Sequence, residues 1–452
     1  MFQRILIANR GEVAARIARA ARAVGASPIG VVSEADRDSS WARSMDAVVC
    51  LGPAAAGESY LSLERLVQAA LQEHCSAVHP GWGFLAENTR FVSLVEQHGL
   101  TFIGPPASVM RTMGVKSPAK TAMKAAGLPV IPGSDGPLPD VDAAVACARE
   151  SGYPVILKAD YGGGGRGMRL CHDDDQVRSA FQSATAEALA AFGSGSMYLE
   201  RFLTGGRHIE VQLLCDRFGN GVYLGERECS IQRKHQKLIE ESPSPALSDA
   251  QRKELGESAV RAALEIGYSN AGTIEFLRDA DGSMYFMEMN TRLQVEHPVS
   301  EMVTGVDIAK CMLEVAANRP LAFSQGDIEM RGHSIECRIN AEDPSADFRP
   351  SPGTLTTFHI PQDCGPGSVR IDTHMQAGDT VSPHYDSLVA KVIVHADTRA
   401  EAIETMRLAL SGADVTGIET TIPLHLAVLA SGEFQSGEYD TATIPGWPKA
   451  GS

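Results

Sequence analysis

Between Ile5 and Pro105 short β-branched runs alternate with helical stretches, which predicts a parallel sheet covered on both faces. The strands read Arg4–Ala8, Ile29–Ser33, Ala47–Leu51, Ala77–His79 and Thr101–Ile103. The first helix, Glu12–Val24, carries Val13, Ile17, Ala20, Ala21 and Val24 on one stripe. This is the topology of nucleotide-binding sheets. Its first strand-to-helix turn, however, is Asn9-Arg10-Gly11-Glu12 and not G-x-G-x-x-G, so a dinucleotide reading fails at its most specific point.

Helical stretches follow near Pro106–Met113 and Pro118–Ala126, and the turn-rich Pro129–Pro139 reads as a linker. Strand Pro154–Ala159, a glycine loop, strand Met168–Cys171, a helix over Asp173–Ala191 and strand Met197–Phe202 predict a small α+β lobe. The runs His208–Asp216, Val222–Glu228, Ala271–Leu277 and Met284–Asn290 predict a larger antiparallel portion, its last hairpin closed by Asp279-Ala-Asp-Gly282. A third unit starts near Arg331 and ends in short strands and a helix at Arg399–Leu410. The fold class is therefore α/β, becoming α+β in the later parts.

The 452 residues suggest about three units at roughly 150 residues each. Forty Lys plus Arg against 56 Asp plus Glu give a net charge of −16, which argues against nucleic acid or an anionic membrane as partner. No apolar run is long enough to span a membrane, and the start lacks the features of a signal peptide, so a cytoplasmic location is expected. The nine Cys include no C-x-x-C, which disfavours a zinc site or a disulfide framework. Glycine is enriched, at 43 residues, which directs attention to loops that approach phosphates.

One such loop is Lys158-Ala-Asp-Tyr-Gly-Gly-Gly-Gly-Arg-Gly167, where a strand ends in Lys and four glycines lead to Arg. Residues without Cβ let backbone N–H groups close on phosphate oxygens, and Lys158 adds a positive charge; no G-K-[ST] follows, so it is not a Walker loop. Glu288 and Asn290 share a strand face, with Glu275 alongside on the preceding strand. That is a hard oxygen set suited to Mg²⁺ with substrate phosphates. Arg292-Leu-Gln-Val-Glu-His-Pro298 follows directly, pairing a potential anion clamp, Arg292, with a potential base, Glu296. In His333–Asn340 the alternation predicts Ile335, Cys337 and Ile339 facing inward and Glu336, Arg338 and Asn340 facing out. The basic cluster Arg227–Lys237 reads as a loop able to neutralise a polyphosphate, and the nearby His208 and Glu210 share a strand face.

Taken together and in order, Ile7-Ala-Asn-Arg-Gly-Glu12, His79-Pro-Gly-Trp-Gly-Phe-Leu-Ala-Glu-Asn88, the glycine loop, Gln232-Arg-Lys-His-Gln-Lys237, Glu288-Met-Asn-Thr-Arg-Leu-Gln-Val-Glu-His-Pro298 and Glu336-Cys-Arg-Ile-Asn-Ala-Glu-Asp343 resemble the biotin carboxylases of the ATP-grasp superfamily. The resemblance covers essentially the whole chain. It implies an N-terminal biotin carboxylase domain at 1–114, an ATP-grasp domain at 115–330 with a lid at about 130–203, and a C-terminal biotin carboxylase domain at 331–452. It implies attack of bicarbonate on the γ-phosphate of ATP, giving carboxyphosphate, and transfer of the carboxyl group to biotin. By the same resemblance Lys116, Lys158 and Gly163, Gly164 and Gly165 contact ATP phosphates, Glu200 and Leu203 sit at the adenine, and His208, Gln232, His235 and Lys237 lie beside the nucleotide. Glu275, Glu288 and Asn290 hold Mg²⁺ or Mn²⁺. Arg292, Gln294 and the Val295 backbone bind bicarbonate, Glu296 deprotonates it, and Arg338, with Trp82, serves biotin. The implied partners are a separate biotin carboxyl carrier protein, a carboxyltransferase subunit, as in acetyl-CoA carboxylase of fatty acid synthesis, and a second copy of the chain as a homodimer.

Three positions depart from the family's pattern: Val115 replaces an acidic residue, Tyr161 the first of five glycines, and Trp82 a more usual Tyr. Ala122-Met-Lys-Ala125 imitates a biotin attachment motif but lies in a predicted helix, which makes Lys124 a helix residue. The competing readings are another ATP-grasp ligase with a different acceptor, which Arg292–Pro298 with Arg338 argues against, and a nucleotide sensor without turnover, which Glu275, Glu288 and Glu296 argue against.

Overall fold

A computed structural model describes residues 1–160 and 168–448. Strands β1 (Arg4–Ile7), β2 (Ser27–Ser33), β3 (Ala47–Gly52), β4 (Ala77–His79) and β5 (Thr101–Phe102) form a parallel sheet in the order β3-β2-β1-β4-β5. Both faces are apolar because both are covered. Ile5 and Ile7 join the helix Gly11–Ala23 in one cluster, while Leu6, Val31 and Val78 meet Leu66 and Phe91 in another. The turn where a dinucleotide would lie is taken up internally. Arg10 makes a two-pronged pair with Asp36 at 2.7 and 2.8 Å, and its guanidinium lies 4.2 Å above the Tyr385 ring. Gly11 has φ +66°, which favours glycine, and a Cβ there would touch His374.

Next, β6 (Val155–Ala159), β7 (Arg169–Cys171) and β8 (Met197–Arg201) form an antiparallel sheet in the order β7-β6-β8. The helices Val141–Ser151 and Asp174–Phe192 pack on it through Ala144, Ala148, Val177 and Ala184. Asp140 and Asp173 accept from Ala143 and Gln176 N–H groups at the helix starts. The expected linker is a docked segment: Val130 bridges to Phe286 and Gly133 to Glu200. A Cβ on Gly133 would lie 2.1 Å from the Leu199 carbonyl, so only glycine allows that approach. The helix expected at Pro118–Ala126 spans Lys116–Ala125; Pro118 falls in its first turn, where no N–H partner is lost, and Lys124 is an exposed helix residue paired with Asp135.

The largest sheet contains β9 (Arg207–Cys215), β10 (Gly221–Arg233), β11 (Gln236–Ser242), β12 (Asn270–Arg278), β13 (Met284–Asn290), β14 (His333–Asn340), β15 (Ser368–Thr373) and β16 (Leu388–Ala396). Its order is β13-β12-β9-β10-β11-β14-β16-β15, antiparallel throughout. The sheet runs across the expected boundary at 330/331, because β11 pairs with β14 through Ile239 opposite Cys337. Among the described residues no helix is long and apolar enough to cross a membrane.

Two expectations are corrected here. The segment Arg227–Lys237 is not a loop: Arg227 lies inside β10 with no exposure, and only Lys234 and His235, at φ +47° and +65°, form the turn to β11. Arg227 and Lys237 are neutralised across strands by Glu210 and Glu275, while Arg233 and Lys234 pair with Asp347, a distinction composition does not register. Glu336 does not face out. It is fully buried, because the helix His297–Thr304 covers that face of β14 while Ile335, Cys337 and Ile339 fill the core on the other.

Glu241, on the core side of β11, accepts from Arg399 at 2.7 and 3.0 Å, from His333 at 2.6 Å and from the Tyr439 hydroxyl. Burial alone would raise its pKa, but the His333 and Arg399 hydrogen bonds outweigh it and bring the carboxyl from 4.5 to about 2. A depressed carboxyl contributes stability above its unfolded pKa and loses it as pH falls through the folded one. Glu241→Gln is therefore expected to cost about 3 kcal/mol near pH 7, a deficit that shrinks as pH drops from about 4.5 toward about 2. Denaturant melts of both proteins across that range check this.

Candidate active site

A row of charged residues crosses the large sheet at one level: Glu288 on β13 opposes Glu275 on β12, Glu275 opposes Glu210 on β9, and Glu210 opposes Arg227 on β10. Strand alternation explains why they share a face, and register explains why they meet. Arg227 pairs with Glu210 and also donates to Gln212 at 2.7 Å, Ser300 at 3.0 Å and Thr273 at 3.1 Å. Lys237 reaches over the row from β11. Its Nζ contacts Glu210, Glu275 at 2.9 Å and Glu296 at 2.6 Å. Burial disfavours the ammonium, but those three carboxylates outweigh it and raise its pKa well above the ordinary value.

Glu296 is fully buried between two cations, Lys237 at 2.6 Å and Arg338 at 2.8 Å. Burial would raise its pKa; Lys237 and Arg338 instead hold it well below the usual carboxylate range. The Arg338 Nε also donates to Glu240 at 2.7 Å, and its backbone carbonyl is held by Thr421 at 2.8 Å and His425 at 2.7 Å. Arg292 donates to Glu87 at 2.9 Å, to Asn290 Oδ1 at 2.9 Å and to Gln294 Oε1 at 2.9 Å. The Val295 carbonyl is fixed by the buried Lys391 at 2.8 Å.

Donors converge on Glu275: Lys237 at 2.9 Å, Asn290 Nδ2 at 2.8 Å and Gln294 Nε2 at 3.3 Å meet Oε1, and the His208 ring lies 2.9 Å from Oε2. Glu275 is thereby held strongly ionised despite its burial. Glu288, directly opposite, is pushed up by burial and by the Glu275 charge, with Lys116 pulling the other way. Like charges opposed on neighbouring strands are unfavourable unless a cation lies between them. Two opposed carboxylates are the donors a hard divalent ion prefers, so Glu275 and Glu288, with the Asn290 side chain beside Glu275, fit Mg²⁺.

On the lobe side Glu200 pairs with Lys158 at 2.8 Å and Lys120 at 3.3 Å, and Leu203 is buried just beyond β8. Lys116 starts its helix, and burial lowers its pKa while Glu288 opposes that shift. Gln232 lies half-buried opposite Lys237, and His235 is exposed at the hairpin tip. Gly163, Gly164 and Gly165, with Tyr161, lie outside the described residues. Trp82 shares no hydrogen bond with the cluster among the described residues; it packs half-buried against the cluster that includes Leu293 and Ile308. Sequence reasoning missed Glu87, Lys120, Glu240 and Lys391. Of these, Lys391 had a signal, a single charge in the apolar run Leu388–Ala396, and Glu87 sat inside a motif already singled out.

Three family models match: "Biotin carboxylase, N-terminal domain" over 1–110, "Carbamoyl-phosphate synthase L chain, ATP binding domain" over 116–324, and "Biotin carboxylase C-terminal domain" over 336–446. The chain is 51% identical to the biotin carboxylase of Pseudomonas aeruginosa over 97% of its length and 96% of that protein. It is 47% identical to biotin carboxylase 1 of Bacillus subtilis over 100% of both. Among solved structures, a biotin carboxylase complex from Campylobacter jejuni matches at TM-score 0.94 and 48% identity, covering 98% of each chain. The biotin carboxylase domain dimer of Hydrogenobacter thermophilus 2-oxoglutarate carboxylase, solved with MgADP, ADP and bicarbonate, matches at TM-score 0.93 and 46% identity, covering 98% of this chain and 96% of that one. With such agreement over nearly every residue, this chain belongs to the biotin carboxylase family, whose activity is the ATP- and Mg²⁺-dependent carboxylation of biotin.

Proposed function

We propose a division of labour for this reaction in which Lys116, Lys158 and Gly163–Gly165 hold the ATP phosphates, Glu200 and Leu203 border the adenine, and His208, Gln232, His235 and Lys237 flank the nucleotide. Glu275, Glu288 and Asn290 would hold the Mg²⁺, which supplies charge neutralisation for the phosphates. Arg292, Gln294 and the Val295 backbone take bicarbonate, and Arg338 with Trp82 takes biotin. The units proposed for these tasks are 1–114, 115–330, with the lid at about 130–203, and 331–452.

The observation that carries this reading is Glu296 clamped between Lys237 and Arg338. So clamped, it is a weak base. A bicarbonate arriving at Arg292 and a phosphate arriving at Lys237 would each share the cations that now stabilise the Glu296 carboxylate, which raises its proton affinity as the substrates assemble. The base is thereby strengthened when there is a proton to take. Arg338 then faces the ureido oxygen of biotin, where a fixed cation lowers the cost of the enolate-like nucleophile.

The biotin is proposed to arrive on a separate carrier protein, and the carboxyl group to pass to a carboxyltransferase of an acetyl-CoA carboxylase or a related system, in the cytoplasm, with the chain working as a homodimer. Purified full-length protein given ATP, Mg²⁺, labelled bicarbonate and free biotin is expected to hydrolyse ATP only with bicarbonate, faster with biotin, and to yield acid-labile labelled biotin. ATP hydrolysis indifferent to both would overturn the assignment.

A further inference from the structure

Behind Arg338 stands a feature that the proposed roles leave unused. Glu240 on β11 and Glu336 on β14 are directly opposed in register, and both are fully buried. Opposed side chains on antiparallel strands lie with Cβ atoms about 4.5–5.5 Å apart. Glu240 Oε1 accepts from Arg338, but Glu240 Oε2 and both oxygens of Glu336 are buried with no hydrogen-bond partner among the described residues. Two dehydrated carboxylates facing one another cannot both keep a charge at modest cost, and a proton between them would satisfy the orphaned oxygens.

The charged groups facing the pair are Lys391 from β16, Arg338 from β14, Lys237 from β11 and Glu296 before the helix His297–Thr304. Lys391 is already engaged by the Val295 carbonyl and by Glu12 at 3.1 Å. In that helix His297 is influenced by Lys391, Arg16 and Arg370, and burial keeps it neutral. From the helix Arg399–Ser411, Arg399 serves Glu241 on the opposite face.

We propose that Glu240 and Glu336 share one proton and, as a pair carrying a single negative charge, position Arg338 while leaving its guanidinium less neutralised toward the biotin side. With both ionised, Arg338 would face three carboxylate charges, from Glu240, Glu296 and Glu336, against two when the pair holds a proton. The environment agrees: burial, with Glu296 adding to it and Arg338 opposing, pushes Glu240 up to about 7, and burial with the Glu240 charge pushes Glu336 well above its ordinary value against the pull of Lys391. The positioning role rests on the proposed assignment of Arg338 to biotin; the shared proton does not.

A buried acid with a raised pKa contributes stability below its unfolded pKa and loses it as pH rises through the folded value. Glu336→Gln, which carries no proton to lose, is therefore expected to gain in Tm over the unsubstituted protein progressively as pH rises from about 4.5 to about 7, and to keep that gain above it. As pH rises through about 7 its kcat/KM for biotin, relative to the unsubstituted protein, should rise severalfold. Glu240→Gln/Glu336→Gln together, which remove the pair's charge, should raise KM for biotin about tenfold or more while KM for ATP stays put. A Tm difference for Glu336→Gln that is flat or falls with pH overturns the shared proton. A pH-dependent Tm gain with no change in biotin kinetics overturns the positioning role, and if Arg338→Ala also leaves biotin kinetics intact, the failure lies in the biotin assignment and not in the pair.

Discussion

Replacing Glu296 with glutamine is expected to lower bicarbonate-dependent ATP turnover by roughly 10²–10⁴-fold, the usual contribution of a positioned acid or base. The substitution keeps the side chain's shape between Lys237 and Arg338 but removes the charge and replaces one proton-accepting oxygen with an NH₂ group. The loss should fall on kcat. Nucleotide affinity should change less, because Lys158 and Lys116, proposed to hold the phosphates, lie elsewhere, on the lobe and at the start of the Lys116–Ala125 helix, and only Lys237 loses a partner. Single-turnover measurements with saturating ATP and bicarbonate separate the two. A variant that keeps most of its kcat would show that the proton leaves by another route and that Glu296 serves only to hold the cations.

The second large effect is expected at Arg338. On the proposed assignment Arg338→Ala loses a cation at the developing enolate oxygen, a deficit of about 2.7–4 kcal/mol, or roughly 10²–10³-fold in biotin carboxylation. Binding of ATP, and the bicarbonate-dependent hydrolysis expected without biotin, should survive, since Lys237 still holds Glu296 at 2.6 Å. Arg338→Lys should recover only part, because a point charge cannot span both Glu240 and Glu296 as the forked guanidinium does. Parallel assays of biotin carboxylation and biotin-free ATP hydrolysis give the comparison, and equal losses in both would indicate general damage to the site.

The parts of the fold governed by local pattern were legible in advance. Strands Arg4–Ile7 and Ala77–His79 appear within a residue of their expected limits, since each is an apolar run bounded by turn residues. The hairpin that brings Glu275 opposite Glu288 was likewise anticipated from alternation and the Asp279–Gly282 turn. Local pattern failed where charge is buried. Arg227 and Glu336 read as solvent-facing because a charged residue usually is, and only cross-strand partners or an overlying helix make such burial tolerable. Pro129–Pro139 read as a linker for a similar reason: its bridges to Phe286 and Glu200 come from strands more than 60 residues away.

Residue identity and order by themselves determined the family, the α/β character, the hairpin carrying Glu275 and Glu288 and the Arg292–Glu296 segment, because each depends on side-chain chemistry at short spacing. Only the tertiary structure decided which charge answers which. Glu296 meets Lys237 from 59 residues away and Arg338 from 42, Lys391 fixes Val295 across 96, and Glu87 restrains Arg292 across 205. Such pairings arise from strand register and sheet order, which are set by the packing of the whole molecule and leave no trace in the local periodicity of the chain.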